Sequence, residues 1–223
     1  IHDDPYETYR RLRDEAPAYW NPDLSFWVLS RFEDVQNAFK DFDTFSSTGG
    51  VALESRRRRD AGRMEFQQMI EMDPPDHTSF RKLVNRIFTG RRVAAMEDDI
   101  RNIFNGYLDH IVEQGEADLV EEVTSPFPMD VISAFLDIPE GDRAQLRSYS
   151  DTILIREDGK MELPQVAAEG MFAMLQYFID DLPKRRKNPR NGIIDDLLTL
   201  EVDGRSLTEE ELLGFCILFV IAG

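Results

Sequence analysis

The stretch Met72-Asp73-Pro74-Pro75-Asp76-His77-Thr78-Ser79-Phe80-Arg81 predicts the start of a helix that carries two basic side chains toward the interior. Asp73 is placed to cap it, with Pro74 at the first helical position, where a missing N–H costs nothing. Asp76 then falls in the first turn, where the helix dipole favours an acid. Beyond it, Phe80, Leu83, Val84, Ile87 and Phe88 recur at i, i+3, i+4, i+7 and i+8, a core-facing stripe. At about 100° per residue, His77 and Arg81 stand one turn apart, in line with Val84 and Phe88, while Lys82 and Arg86 point the other way. An arginine at the edge of a buried face needs an anionic partner, because an unpaired buried charge is very costly. Two kinds of partner meet that need: an internal Asp or Glu, or the carboxylates of a buried ligand.

Outward from this stretch, the composition sets bounds. The chain has 223 residues, 42% hydrophobic and 31% charged, enough for one good-sized domain with a real core. A formal net charge of −17 argues against nucleic acid as a general partner, since the summed field repels phosphate. Cys216 is the only cysteine, so no internal disulfide forms and nothing points to an oxidising compartment. The first residues show no signal-peptide pattern, and the longest apolar run, Leu212 to Ala222, is too short to span a bilayer. A cytoplasmic protein with no membrane partner is expected.

Residues 4–15 read as a short helix, 18–20 and 26–30 as a β-hairpin across Asn21-Pro22-Asp23, and 31–39 as a second helix. From Ser46 to Met72 the pattern dissolves into a long loop containing Arg56-Arg57-Arg58-Arg59, a charge block that reads as either a solvated segment or an anion site. Arg91 to Gly115 predicts one long amphipathic helix, with His110 near its C-terminal end as a dipole-favoured surface residue. Ala117 to Val123 predicts a short strand. Helices follow over 126–136, 141–155 and 164–186, the last with Val166, Met171, Met174, Leu175, Phe178 and Ile179 inward. Lys184-Arg185-Arg186-Lys187 reads as a helix-end cluster complementing the dipole. Asp195–Leu200 predicts another short helix, and residues 202–205 a turn. Finally, Thr208 with Glu211 forms a capping box, and Leu207 with Leu212 a hydrophobic staple, ahead of a helix apolar all round. Such a helix is expected to be central and buried on every side.

Three features coincide in order: Met72-Asp73-Pro74-Pro75-Asp76-His77-Thr78-Ser79-Phe80-Arg81, Phe88-Thr89-Gly90-Arg91-Arg92-Val93, and Phe219-Val220-Ile221-Ala222-Gly223. Together they strongly resemble the soluble bacterial cytochromes P-450, the haem-thiolate monooxygenases. The resemblance covers the whole chain. It implies a mainly α fold with a small β-hairpin near the N-terminus, residues 1–223 forming the N-terminal part of a single cytochrome P-450 domain. It implies haem b (iron protoporphyrin IX) as cofactor, with His77 and Arg81 hydrogen-bonded to a propionate and Phe88 against the porphyrin. Ala222 and Gly223 match the start of the oxygen-binding motif in the central helix, where small residues leave room for dioxygen. Leu218, Ile221 and Ala222 would face an apolar substrate, whether steroid, fatty acid, terpenoid or polyketide. The pocket wall and lid would come from the Ser46–Met72 loop and the helices flanking residues 156–161. Lys82, Arg86, Arg91 and Arg92 would offer a basic patch to an acidic ferredoxin-type electron donor.

The family's acid–threonine pair and its cysteine iron ligand have no counterpart before Gly223. The chain is therefore expected to break off inside the central helix, to carry no catalytic residue or metal ligand, and to be inactive alone. Cys216, inside an apolar helix, reads as a buried inert thiol. Two rivals stand beside this reading. An all-α isoprenoid synthase is suggested by Asp98-Asp99, Asp180-Asp181 and Asp195-Asp196, but Arg101, Lys184 and Thr199 stand where further metal-binding aspartates are needed. A non-catalytic helical ligand-binding or regulatory domain fits the missing half but leaves the Asp-Pro-Pro-Asp-His-Thr run unexplained.

Overall fold

The computed structural model describes residues 4–53, 68–157, 160, 162–190, 192–202 and 204–222. The chain divides into two compact units, residues 1–48 and 49–223. The run Arg56–Arg59 lies outside the described residues.

In the first unit, helix α1 (Tyr6–Glu15) precedes an antiparallel hairpin of β1 (Ala18–Asn21) and β2 (Phe26–Leu29), followed by α2 (Phe32–Lys40). Trp20 pairs directly with Trp27, ring centroids 5.3 Å apart. Such cross-strand aromatic pairs are the unit of hairpin stability. Asn21 Oδ1 closes the turn by accepting the N–H groups of Asp23 and Leu24 at 3.1 and 3.0 Å.

In the second unit, the helix expected from Asp73 begins at Asp76 and runs to Asn85 as α3. Pro74 and Pro75 have no N–H to give to a first turn, yet the Asp73 carbonyl accepts the His77 N–H at 2.9 Å, the i→i+4 bond of a helix start. The apolar stripe is as expected: Phe80, Leu83, Val84 and Ile87 are all buried.

The helix predicted over residues 91–115 is broken in two. Helix α4 (Gly90–Ala94) is capped by Thr89 Oγ1, which accepts the Arg92 N–H, and α5 (Glu97–Gln114) restarts with Glu97, Asp98 and Asp99 in its first turn. That acidic run suits a fresh N-terminus, not a helix interior. Gly115 ends α5 with φ 83°, a left-handed conformation that glycine adopts without penalty. Where a strand was predicted at 117–123, the chain makes a π-helical turn, Val120–Thr124. Asp118 Oδ1 accepts the N–H groups of Val120 and Glu121, which curls the backbone away from an extended path.

Helices α6 (Pro126–Phe135), α7 (Glu140–Leu154), α8 (Gln165–Lys187) and α9 (Ile193–Thr199) follow, then the hairpin β3 (Glu201–Val202) and β4 (Arg205–Ser206), then α10 (Glu209–Ala222). The inward face of α8 is Ala167, Gly170, Met174, Phe178, Asp181, Leu182 and Arg185, whereas Val166 and Ile179 are exposed. The core-facing stripe thus includes two charged residues that an apolar pattern passes over. The capping box of α10 is present: Thr208 donates its N–H to Glu211 Oε2 at 2.9 Å, and Glu211 donates its own to Thr208 Oγ1 at 3.2 Å. Leu212 to Ile217 are buried without interruption, but Leu218, Phe219 and Ile221 are only half-buried and Ala222 is exposed. Among the described residues the helix is therefore enclosed from Leu212 to Ile217 and again at Val220.

Candidate cofactor site

Helix α3 builds the site. Its residues at i, i+1, i+4, i+5, i+8 and i+9, namely His77, Thr78, Arg81, Lys82, Asn85 and Arg86, line one cleft of about 550 Å³. Lys82 and Arg86 thus share the cleft with His77 and Arg81 instead of pointing away from it. His77 is half-buried and Arg81 exposed, so the arginine stands outside the core edge where the stripe had placed it. Among the described residues, neither side chain makes a hydrogen bond or ion pair. Of the two partners left open by the sequence, the internal carboxylate is absent among those residues, and the cleft lining carries three basic side chains and a histidine with no carboxylate among them.

Phe88 sits just past α3 on the same row. Its ring packs against Phe219 at 5.3 Å and against Phe215 and Phe135 at 6.4 Å each. Phe215 and Phe219 stack on each other at 5.2 Å. The aromatic knot joins the end of α3 to α6 and the central helix α10. Leu218, Ile221 and Ala222 share an adjoining face of α10; Gly223 lies outside the described residues. Arg91 is exposed, and Arg92 is engaged by Asp196 of α9, which ties α4 to α9. Arg92 is thus not free to extend a basic surface patch.

The structure also reveals a cluster that sequence reasoning missed. Arg185, expected in a helix-end cluster complementing the dipole, is fully buried. Its Nε donates to Asp181 Oδ2 at 2.5 Å, and one Nη donates to the Asp137 carbonyl at 2.9 Å. Asp181 also accepts from Arg190 at 2.8 Å, and Asp195 accepts the Arg190 and Gly192 N–H groups at 3.0 Å each. The i, i+4 spacing of Asp181 and Arg185 was the available signal. The same contacts dispose of the metal-cluster rival, because Asp181, Asp195 and Asp196 are held by arginines. Among the described residues, no His, Cys, Asp and Glu group is arranged to hold a metal ion.

Burial raises the Cys216 thiol to about 12, far from the thiolate an iron ligand must be. His110 is an exposed residue hydrogen-bonded to Gln114. Near it, Tyr107 donates to Asp130 Oδ2 at 2.5 Å, and burial is the main cause of its shift up to about 12.

No family model matches the chain. Individual proteins do. Cytochrome P450 123 of Mycobacterium tuberculosis is 39% identical over 224 residues, which include 100% of this chain and 55% of that protein. The chain matches cytochromes P450 along its whole length. The steroid C26-monooxygenase of Rhodococcus jostii is 30% identical over 98% of the chain and 49% of its own length. The substrate-free structure of CYP109E1 from Bacillus megaterium superposes with a TM-score of 0.82 at 28% identity, over 100% of this chain and 58% of that one; its testosterone complex gives 0.75. The chain spans about half the length of the relatives it matches. The mainly helical architecture with its N-terminal hairpin is therefore the cytochrome P450 fold over that span.

Cytochromes P450 carry haem b. The cleft fits that group's acidic rim: a histidine and an arginine one turn apart, without side-chain partners among the described residues, are donors matched to a propionate. Cys216 does not fit as the iron ligand, since its thiol is protonated and enclosed.

Proposed function

We propose that this chain contributes the propionate-binding helix and central-helix wall of a haem-dependent monooxygenase, acting on an apolar organic substrate with dioxygen and electrons from a ferredoxin-type donor. The observation that carries this reading is the pairing, on a cleft-facing turn, of His77 and Arg81, neither of which has a side-chain partner among the described residues, within a fold shared with cytochromes P450 over the whole chain. When bound through a cysteine thiolate, the haem supplies oxygen activation.

The residues of this chain have supporting tasks. His77 and Arg81 donate to a propionate, orienting the cofactor and neutralising its charge. The half-exposed ring of Phe88 offers an apolar edge to the porphyrin. Ala222, with Gly223 after it, keeps the central helix low in bulk where dioxygen must fit. Leu218 and Ile221 supply apolar wall to the substrate and exclude water. No residue described here moves a proton at the reacting centre; the acid–threonine pair and the iron ligand are assigned to sequence beyond Gly223, residues 1–223 being the N-terminal part of one domain.

A steroid-sized substrate is supported by the steroid C26-monooxygenase relative and by the testosterone complex of CYP109E1. The electron donor would meet Lys82, Arg86 and Arg91, an acidic partner being drawn to a local basic face despite the acidic total. A cytoplasmic location is consistent with the finding that no described helix is long and apolar enough to cross a membrane. The deciding experiment is the optical spectrum of the intact protein, reduced and carbon monoxide-bound. The haem-thiolate band is expected; a preparation that takes up no haem overturns the reading. Reduction by a ferredoxin should slow with added salt and with Lys82→Glu, and no response to either removes the proposed docking face.

A further inference from the structure

We propose that Phe219 is a positioning residue for the cofactor, acting through Phe88. The inference rests on the haem reading above and adds a residue to which that reading gives no task. Phe219 contacts each of the other three rings of the aromatic knot, Phe88 at 5.3 Å, Phe215 at 5.2 Å and Phe135 at 6.5 Å, whereas its helix neighbour Phe215 is paired with Phe88 and Phe219. It stands between Leu218 and Ile221, so the helix that lines the substrate wall also grips the end of α3. Phe88 and Phe219 are both half-buried, in contrast to the fully enclosed Phe80 below them.

The arrangement has a mechanical consequence. Helix α3 holds His77 and Arg81 near its start and hands its chain to Phe88 just past its end. Its apolar stripe fixes its roll against the core, because Phe80, Leu83, Val84 and Ile87 are buried. Ile87 and the Phe88 N–H bond to the Val84 carbonyl hold the backbone at that end, and the knot holds the Phe88 ring itself. Close-packed aromatic rings tolerate little displacement. The Phe219 ring therefore sets where Phe88 stands, and with it how α3 presents its two donors to the cofactor rim. Groups that orient ligating residues without touching the cofactor themselves change affinity by roughly ten- to hundredfold when removed.

The test uses the intact, haem-loaded protein carrying Phe219→Ala, Phe219→Leu and Phe88→Leu, singly, and Phe219→Leu combined with Phe88→Leu. The haem dissociation rate is read by transfer to excess apomyoglobin, and the unfolding midpoint of each haem-free form is read separately. Phe219→Ala is expected to speed haem loss roughly tenfold, and Phe219→Leu by less. In the Phe88→Leu background, the Phe219→Leu effect should shrink markedly, because the two residues act through one contact. A purely structural Phe219 would lower the haem-free midpoint while leaving haem loss within twofold of the parent, or would give the same fold-change in both backgrounds; either outcome overturns the proposal. Should Phe219→Ala fail to fold, the leucine pair alone decides. A protein that never takes up haem overturns the haem reading itself and this inference with it, whereas one that binds haem with additive effects overturns only the role of Phe219.

Discussion

Arg185 donates through Nε to Asp181 Oδ2 at 2.5 Å, one turn back on α8, and the guanidinium is completely shielded from solvent. Removing Arg185 leaves Asp181 with Arg190 alone, and removing Asp181 leaves the enclosed guanidinium with only Asp195, 3.8 Å away. Arg185→Ala or Asp181→Ala should therefore cost about 3–5 kcal/mol, whereas an apolar replacement of both should cost much less. Urea unfolding of the three variants checks this. A loss below about 1 kcal/mol for each single variant would mean that water reaches the pair.

Cys216 yields a pH prediction. Its thiol is pushed from 9.0 to about 12 by burial, so the folded chain holds that proton more tightly than the unfolded one. Stability from this group is intact below pH 9. It falls as the unfolded thiol ionises, by about 1.4 kcal/mol per pH unit, until the folded thiol ionises as well. Cys216→Ala should flatten the decline of the urea midpoint between pH 9 and 11. In the native chain at pH 8 the thiol should resist a water-soluble disulfide reagent and react only on unfolding.

Among the described residues, the His77 and Arg81 side chains make no hydrogen bond or ion pair that their removal would break. His77→Ala and Arg81→Ala should leave the unfolding midpoint of the haem-free chain almost unchanged. In the intact protein each should weaken haem retention by roughly ten- to hundredfold, the worth of a hydrogen bond to a charged group. Haem transfer rates and urea curves on the same preparations separate the two effects. Equal losses in both would point to a packing role.

Gly192 stands directly before α9, and a Cβ built there would lie 2.6 Å from Asp137 Cβ and 3.3 Å from the Leu136 carbonyl oxygen. Neither neighbour is the tip of a flexible side chain. Gly192→Ala should cost about 1–3 kcal/mol through overpacking, measured by thermal unfolding, and should disturb the Arg185 network because Asp137 belongs to it. By contrast, Gly115→Ala meets no neighbour and carries only the strain of its positive φ.

The elements legible in the sequence were those whose signal is local. The hairpin at Trp20 and Trp27, the apolar stripe from Phe80 to Ile87 and the capping box at Thr208 and Glu211 each declare themselves within a dozen residues. The errors came where a short-range hydrogen bond or a distant partner overrode the pattern. Asp118 curled a would-be strand, and the acidic run at Glu97 restarted a helix that apolar spacing alone had joined. Of the candidate site, the donors His77 and Arg81 were legible, but their exposure and the company of Lys82 and Arg86 in one cleft were not.

By itself, then, the sequence determined the α3 stripe and an apolar helix beginning at a capped Thr208, because period and capping are properties of neighbouring residues. Only the tertiary structure decided that Arg185 is interior, that Arg92 is held by Asp196 across the fold, and that Phe88 meets Phe135, Phe215 and Phe219. Those facts depend on which surfaces meet across long stretches of chain, and a charge or a ring has the same letter whether it meets a partner or water.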